Sequence, residues 1–205
     1  MTLQPYNPPL PAHLNGHVAQ DTLTQDEYER FKAALPSWRD RLIAMLLRNT
    51  GLRVNELLGL QVRDFVLEGP AYIVYVIRSK KAEKTEYDPI YINPELGVQL
   101  RDYIKGNDYK QMETVFGGGE NRRDPRKITA RGLRFVFEGA SLASIGRKVK
   151  PKDFRSFFTQ TMIDGGVPMP IASKMMGHVS EKTTQAHYYK LSVDRRRVIG
   201  EGIPV

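Results

Sequence analysis

From Leu23 onward, apolar residues recur every third or fourth position, and proline and glycine break the runs into short lengths. That is the pattern of packed helices joined by tight turns. Thr24, followed three residues later by Glu27, is a capping box that opens a helix running to about Leu35, where Pro36 ends it. Trp38, Leu42, Met45 and Leu46 give a second helix one apolar face, and Thr50-Gly51 is its stop. VNELLGL, residues 54–60, is a third, short helix. The period then changes. AYIVYVIR, residues 71–78, is β-branched and aromatic and predicts a strand. The polar run SKKAEKTE leads from it into YDPIYI, its expected hairpin partner. Pro94-Glu95 starts a helix to about Ile104, residues 117–127 form an exposed loop, and Thr129 to about Ile145 is again helical. A further helix carries an apolar stripe at 154, 157, 158, 161 and 162 and stops at Gly165-Gly166. PMPIASKMM and EKTTQAHYY predict two more helices around Gly177-His178.

The fold class is therefore mixed α/β, mainly α-helical, with one small antiparallel β-sheet. Residues 1–20 have no such period. They hold Pro5, Pro8, Pro9 and Pro11 and no charged side chain, and read as an extended arm. A length of 205 residues with 40% hydrophobic composition suits one domain plus an arm. No apolar run is long enough to span a bilayer, and there is no cysteine for a disulfide framework or thiolate metal site. These features suit a soluble protein of the cytoplasm. The net charge of +8 changes the picture because it is uneven: residues 121–155 carry 11 Lys/Arg and 3 Asp/Glu, net +8. Such a segment is either a solvated basic face or a phosphate-binding surface.

Four clusters can carry chemistry: Arg53 after the Thr50-Gly51 turn; Lys80, Lys81 and Lys84 in the hairpin; Lys152-Asp153-Phe154-Arg155 at a helix start; and GHVSEKTTQAHYY, residues 177–189. Singly, each has a plain structural role, such as a helix cap, a solubilising lysine or a turn histidine. Together they suggest a site that grips a phosphodiester. Arg53 lies between apolar Leu52 and Val54, and Arg155 lies beside the apolar stripe with its head free, so packed neighbours would fix both guanidiniums. The sequence shows no carboxylate cluster of the kind that holds two metal ions. Side chains would then have to neutralise the transition state, and the tyrosines of the last segment offer a nucleophile.

These segments resemble tyrosine recombinases of the phage-integrase type. TGLRVNELLGL (50–60) is close to that family's first-arginine box. KPKDFRSFF (150–158) resembles the second box, and MMGHVSEKTTQAHYY (175–189) resembles the Gly-His box that ends at the nucleophile. The resemblance runs from about Leu23 to about Tyr189. It implies a tyrosine-recombinase catalytic-domain fold and metal-independent cleavage and rejoining of double-stranded DNA through a 3′-phosphotyrosyl link, with no cofactor. It implies that Arg53, Arg155 and His178 hold the scissile phosphate and that Tyr188 attacks it. A hairpin lysine would protonate the leaving oxygen: Lys81 by its distance from Pro89, then Lys80, then Lys84. The expected partner is duplex DNA, bound through residues such as Arg122, Arg123, Lys148 and Lys150, with a homotetramer assembled on paired sites.

The chain departs from the family pattern in three places. Lys152 stands where the second box usually has histidine. His187 occupies the usual nucleophile spacing, with Tyr188 one residue later. The helical domain that precedes the catalytic domain in this family has no counterpart, because residues 1–22 are too few and too proline-rich. The expected division is an arm over 1–22, a catalytic domain over 23–190 and a tail over 191–205. Two competing readings are a type IB topoisomerase-like relaxing enzyme and a non-catalytic helix-turn-helix protein built on IASKMMGHVSEKTTQAHYY.

Overall fold

The structure is a computed structural model that describes residues 23–69, 71–77, 87–117, 127–168 and 171–172. Helix α1 spans Gln25–Ala34, and its capping box is formed: the Glu27 N–H donates to Thr24 Oγ1 at 3.2 Å, and the Thr24 N–H donates to Glu27 Oε2 at 2.9 Å. Helix α2 spans Trp38–Thr50 and is the central helix, packed against α1 and against four elements that follow it. Its residues Leu42, Ile43, Ala44, Leu46 and Leu47 are all fully buried. The short helix α3 (Val54–Gly59) and one 3-10 turn (Val62–Asp64) lead into the sheet. The face expected from the sequence is corrected at its first residue. Trp38 is 47% exposed at the first position of α2, right after the Pro36-Ser37 turn.

The sheet has the order β1 (Phe65–Val66), β2 (Tyr72–Ile77), β3 (Tyr87–Ile92), antiparallel throughout. The β2–β3 hairpin was legible in the sequence. The two-residue strand β1 was not, since two residues cannot display an alternation. Val74, Val76, Ile90 and Ile92 face the core. Helix α4 (Pro94–Gly106) crosses this inner side so closely that a Cβ on Gly97 would lie 2.3 Å from the Tyr72 ring, so glycine is required there.

Helices α5 (Ala130–Ile145) and α6 (Asp153–Asp164) close the core against α1 and α2. Phe31 of α1 meets Phe137 of α5 at 5.0 Å between ring centroids, and Phe154 of α6 lies 5.6 Å from Phe31 and 5.4 Å from Phe137. Tilted and edge-on aromatic pairs at these separations add to what burial alone contributes. The stripe expected on α6 holds at Phe154, Phe157 and Met162, but Thr161 is exposed and Thr159 is fully buried instead. Thr159 tolerates burial because its hydroxyl donates to the Arg155 carbonyl at 2.8 Å.

One carboxylate ties the first helix to the loop before α6. Arg147 Nε and Nη2 donate to the two Glu27 oxygens at 2.9 and 2.8 Å. The Arg147 guanidinium holds the Glu27 carboxyl down at about 2 instead of 4.5. A depressed carboxylate contributes stability that is complete above its unfolded-state pKa and is lost as pH falls through the folded one. Allowing for solvent at the pair's rim, Glu27→Gln is expected to destabilise the domain by about 1–2 kcal/mol at pH 7. The gap to the parent should close as pH is lowered from 4.5 towards 2, in urea denaturation followed by circular dichroism. A gap that does not change with pH would show that Glu27 acts only as a cap.

Candidate active site

The turn between α2 and α3 positions Arg53. Gly51 closes α2 in the left-handed conformation, φ 62°, with its N–H on the Leu47 carbonyl at 3.0 Å. Thr50 is buried; its hydroxyl donates to the Leu46 carbonyl at 2.6 Å and accepts from the Leu52 N–H at 3.3 Å. Leu52 drops into the core, and the next residue, Arg53, becomes the N-cap of α3. Glu56 holds Arg53 twice, accepting its backbone N–H and its Nη1, each at 2.7 Å. The Arg53 side chain is 44% exposed, so a fixed guanidinium stands at the surface.

The second arginine is brought to the same turn from 104 residues away. The loop before α6 is pinned by the buried hydroxyl of Ser141, which accepts the Val149 N–H at 2.9 Å, and by Asp153, whose Oδ2 accepts the Lys150 N–H at 2.7 Å. Helix α6 then lies across the α2–α3 turn. Arg155 Nη1 donates to the Gly51 carbonyl at 2.7 Å. One turn further on, the Phe158 ring covers Gly51 so closely that a Cβ there would sit 2.3 Å from Phe158 Cδ1. The expectation of a free Arg155 head is therefore corrected: its guanidinium is fastened to the backbone two residues before Arg53. Sequence reasoning read Gly51 only as a helix stop and missed its part in joining the two arginine-bearing segments. A Thr-Gly pair signals the stop but carries no trace of what packs on it.

Lys152 is exposed just before α6, so with Arg155 it puts two cations at that helix's N-terminal end. A helix N-terminus disfavours cations by about 0.3–1 kcal/mol each, and only Asp153 offsets them locally. An anion bound at this end would be favoured by these side chains and by the helix dipole. Lys150 is half-buried in the same loop, and Lys148 is exposed, with its Nζ 3.8 Å from Glu138 Oε2. Arg134, beside Glu138, holds that carboxyl below the usual carboxylate range, so part of the basic surface is internally paired. Lys81, His178, Tyr188, Arg122 and Arg123 lie outside the described residues. Among the described residues, no group of three or more His, Asp or Glu side chains could hold a metal ion, and no helix is long and apolar enough to cross a membrane.

Residues 21–195 match the phage integrase family. The chain belongs to that family. Among curated relatives, the tyrosine recombinase XerA of Thermococcus kodakarensis is 29% identical over 179 residues, 85% of this chain and 60% of its own length. The tyrosine recombinase XerC of Listeria innocua is 30% identical over 156 residues, 73% of this chain and 49% of its own length. The chain thus spans about half to three-fifths of the length of these phage-integrase relatives. Among solved structures, XerA recombinase superposes with a TM-score of 0.69 at 22% identity, covering 90% of this chain and 65% of that one. XerH recombinase bound to a difH substrate gives 0.67 at 17% identity, covering 88% and 52%. At these identities the superpositions establish the fold: the tyrosine-recombinase catalytic domain, mainly helical with one small antiparallel sheet. The match to the phage integrase family also takes in residues 173–195, and so His178, Tyr188 and Tyr189.

Proposed function

We propose that this chain is the catalytic part of a site-specific DNA recombinase, which cuts and rejoins duplex DNA through a 3′-phosphotyrosyl intermediate. The observation that carries the reading is the hydrogen bond from Arg155 Nη1 to the Gly51 carbonyl, which gathers the α6 arginine and the Arg53 turn into one place. Two guanidiniums held by packed backbone suit the non-bridging oxygens of one phosphate. In the proposed reaction Tyr188 loses its phenolic proton to solvent, the phenolate oxygen attacks phosphorus, and the bond to the 5′ oxygen breaks. Lys81 gives a proton to that leaving oxygen, while His178 donates a hydrogen bond to the phosphate. Attack by a 5′ hydroxyl reverses the step, with the proton returning to lysine, and no external energy source is consumed. The XerH structure, described as a post-cleavage complex, and a Tn1549 transposon integrase structure both contain DNA, and their likeness in fold supports duplex DNA as the partner here. Assembly as a homotetramer on paired sites belongs to the same proposal.

The test is covalent capture. A nicked duplex that loses its 5′-hydroxyl fragment on cleavage should leave DNA attached to the protein in denaturing gels, and an excess of chelator should not reduce the yield. No adduct on any cleavable duplex, or one that needs added magnesium, would overturn the mechanism.

Lys152 offers a finer prediction. Lys152 is exposed, and a lysine side chain there can act as a positive charge and hydrogen-bond donor towards phosphate. Lys152→Ala is therefore expected to slow cleavage by about 10–100-fold and Lys152→Arg by much less. Equal losses in single-turnover cleavage would mean that Lys152 transfers a proton, which arginine cannot do.

A further inference from the structure

An antiparallel sheet with one face on the core normally turns polar side chains to water on the other. Here the outward face is apolar as well. The register pairs Val66 with Ile73, Ile73 with Tyr91 and Tyr75 with Pro89, and these residues alternate with the buried positions. Ile77 lies on the same side at the end of β2. Tyr91 is 69% exposed, Pro89, Val66 and Ile77 are also exposed, and Ile73 and Tyr75 are half-buried against one another's neighbours. These six side chains form an aromatic and aliphatic surface with no charged residue, the kind of contiguous patch that marks a binding face.

We propose that the proline-rich N-terminal arm, within residues 1–22, docks in cis on this outward sheet face. Three observations single out the arm. Its first 20 residues carry no charged side chain, matching a face that also has none. It contains the run Asn-Pro-Pro-Leu-Pro over residues 7–11, in which Pro8 and Pro11 have the spacing that packs a polyproline helix onto tyrosine-lined grooves. The chain also permits the contact. The arm joins the domain at Leu23, which is buried, and twelve residues of extended chain reach about 37 Å at 3.1 Å each. A domain of this size is about 40 Å across, so this reach takes Pro8–Pro11 to any face within about 37 Å of Leu23 along the surface. Tethering supplies an effective concentration of about 1 mM, so a weak contact is enough to keep the arm seated. Among the other exposed apolar residues, Trp38, Met112 and Ile171 stand apart from one another in the chain, while Phe135 and Leu142 share helix α5, which also exposes Arg131 and Arg134. That basic flank suits an anionic partner and gives an uncharged arm nothing to match.

The chain has no cysteine, so Asn7→Cys provides a single attachment point for a nitroxide spin label on the full 205-residue protein. The expected result is strong paramagnetic broadening of the Ile73, Tyr75 and Tyr91 amide signals, several-fold beyond that at Phe135 and Leu142. Tyr91→Lys should remove most of this broadening without moving the thermal midpoint, because the side chain is exposed. Pro8→Gly with Pro11→Gly should do the same from the arm's side, where the domain cannot be unfolded by the change. Broadening that is absent, even over the surface, or centred on α5 would overturn the proposal. So would broadening that persists when the label and the isotope are on different chains, since the arm would then be visiting a second copy.

Discussion

Tyr188→Phe is expected to abolish covalent capture of DNA, lowering the adduct yield by at least about 10³-fold. Tyr189→Phe should leave capture within a few-fold of the parent. Phenylalanine keeps the ring and its packing and removes only the attacking oxygen, so the comparison isolates chemistry from folding. The sequence predicts a helix for EKTTQAHYY, in which adjacent side chains would point about 100° apart, so only one of the pair would face the phosphate that Arg53, Arg155 and His178 are proposed to hold. The order Gly-His178, then His187-Tyr188, puts Tyr188 one residue beyond the usual spacing and Tyr189 two beyond. A phenol has a pKa of about 10, so its ionised form also depends on the cations around the phosphate. A suicide substrate incubated with both variants in parallel decides the matter. Adduct from Tyr188→Phe but none from Tyr189→Phe would transfer the role to Tyr189.

The second large effect is expected from Gly51→Ala, a change of one methyl group outside any catalytic contact. Two costs combine. The backbone at φ 62° disfavours any side chain by about 1 kcal/mol, and the new Cβ would press into the Phe158 ring. The sum should be about 2–4 kcal/mol of stability, read by urea denaturation. Cleavage should fall further than stability suggests. Displacing the ring displaces α6, and Arg155 then loses its register on the Gly51 carbonyl. A misplacement of about 1 Å at a reacting phosphate costs about 100-fold in rate. Phe158→Ala combined with Gly51→Ala should destabilise less than the sum of the two single changes, because Phe158→Ala removes the ring atoms that the Gly51→Ala methyl strikes. A Gly51→Ala protein that is stable and cleaves at the parental rate would disprove the account of how the two arginines are joined.

Most of the helical frame was legible because its signals are local. The Thr24 box, the Pro36 break, the Pro94-Glu95 start and the helix from Thr129 each rest on signals within one turn of chain, and each appears in the fold. The basic residues of the site were legible as types, through the boxes they occupy. Their attachments were not. Arg155 on Gly51, Glu56 on Arg53 and Phe158 over a glycine are consequences of packing, and no periodicity encodes them. Trp38 and Thr161 failed for a related reason: an apolar-looking position on a helix is buried only if another element reaches it.

The aromatic cluster that joins α1 to α5 and α6 also governs how the chain is made. Tyr28 and Phe31 find their partners at Phe137, Phe154 and Phe157, more than 100 residues later in synthesis. Until those residues leave the ribosome, the apolar side of α1 has α2 but none of its phenylalanine partners from α5 and α6 to rest on, and its cap has no Arg147 to clamp it. Closing such distant contacts is slow, and the waiting intermediate exposes the surface that sticks to other chains. Nascent chains stalled before about residue 150 should therefore be chaperone clients. The α2–α3 turn and α6 therefore meet only after the whole span from α1 to α6 has been made.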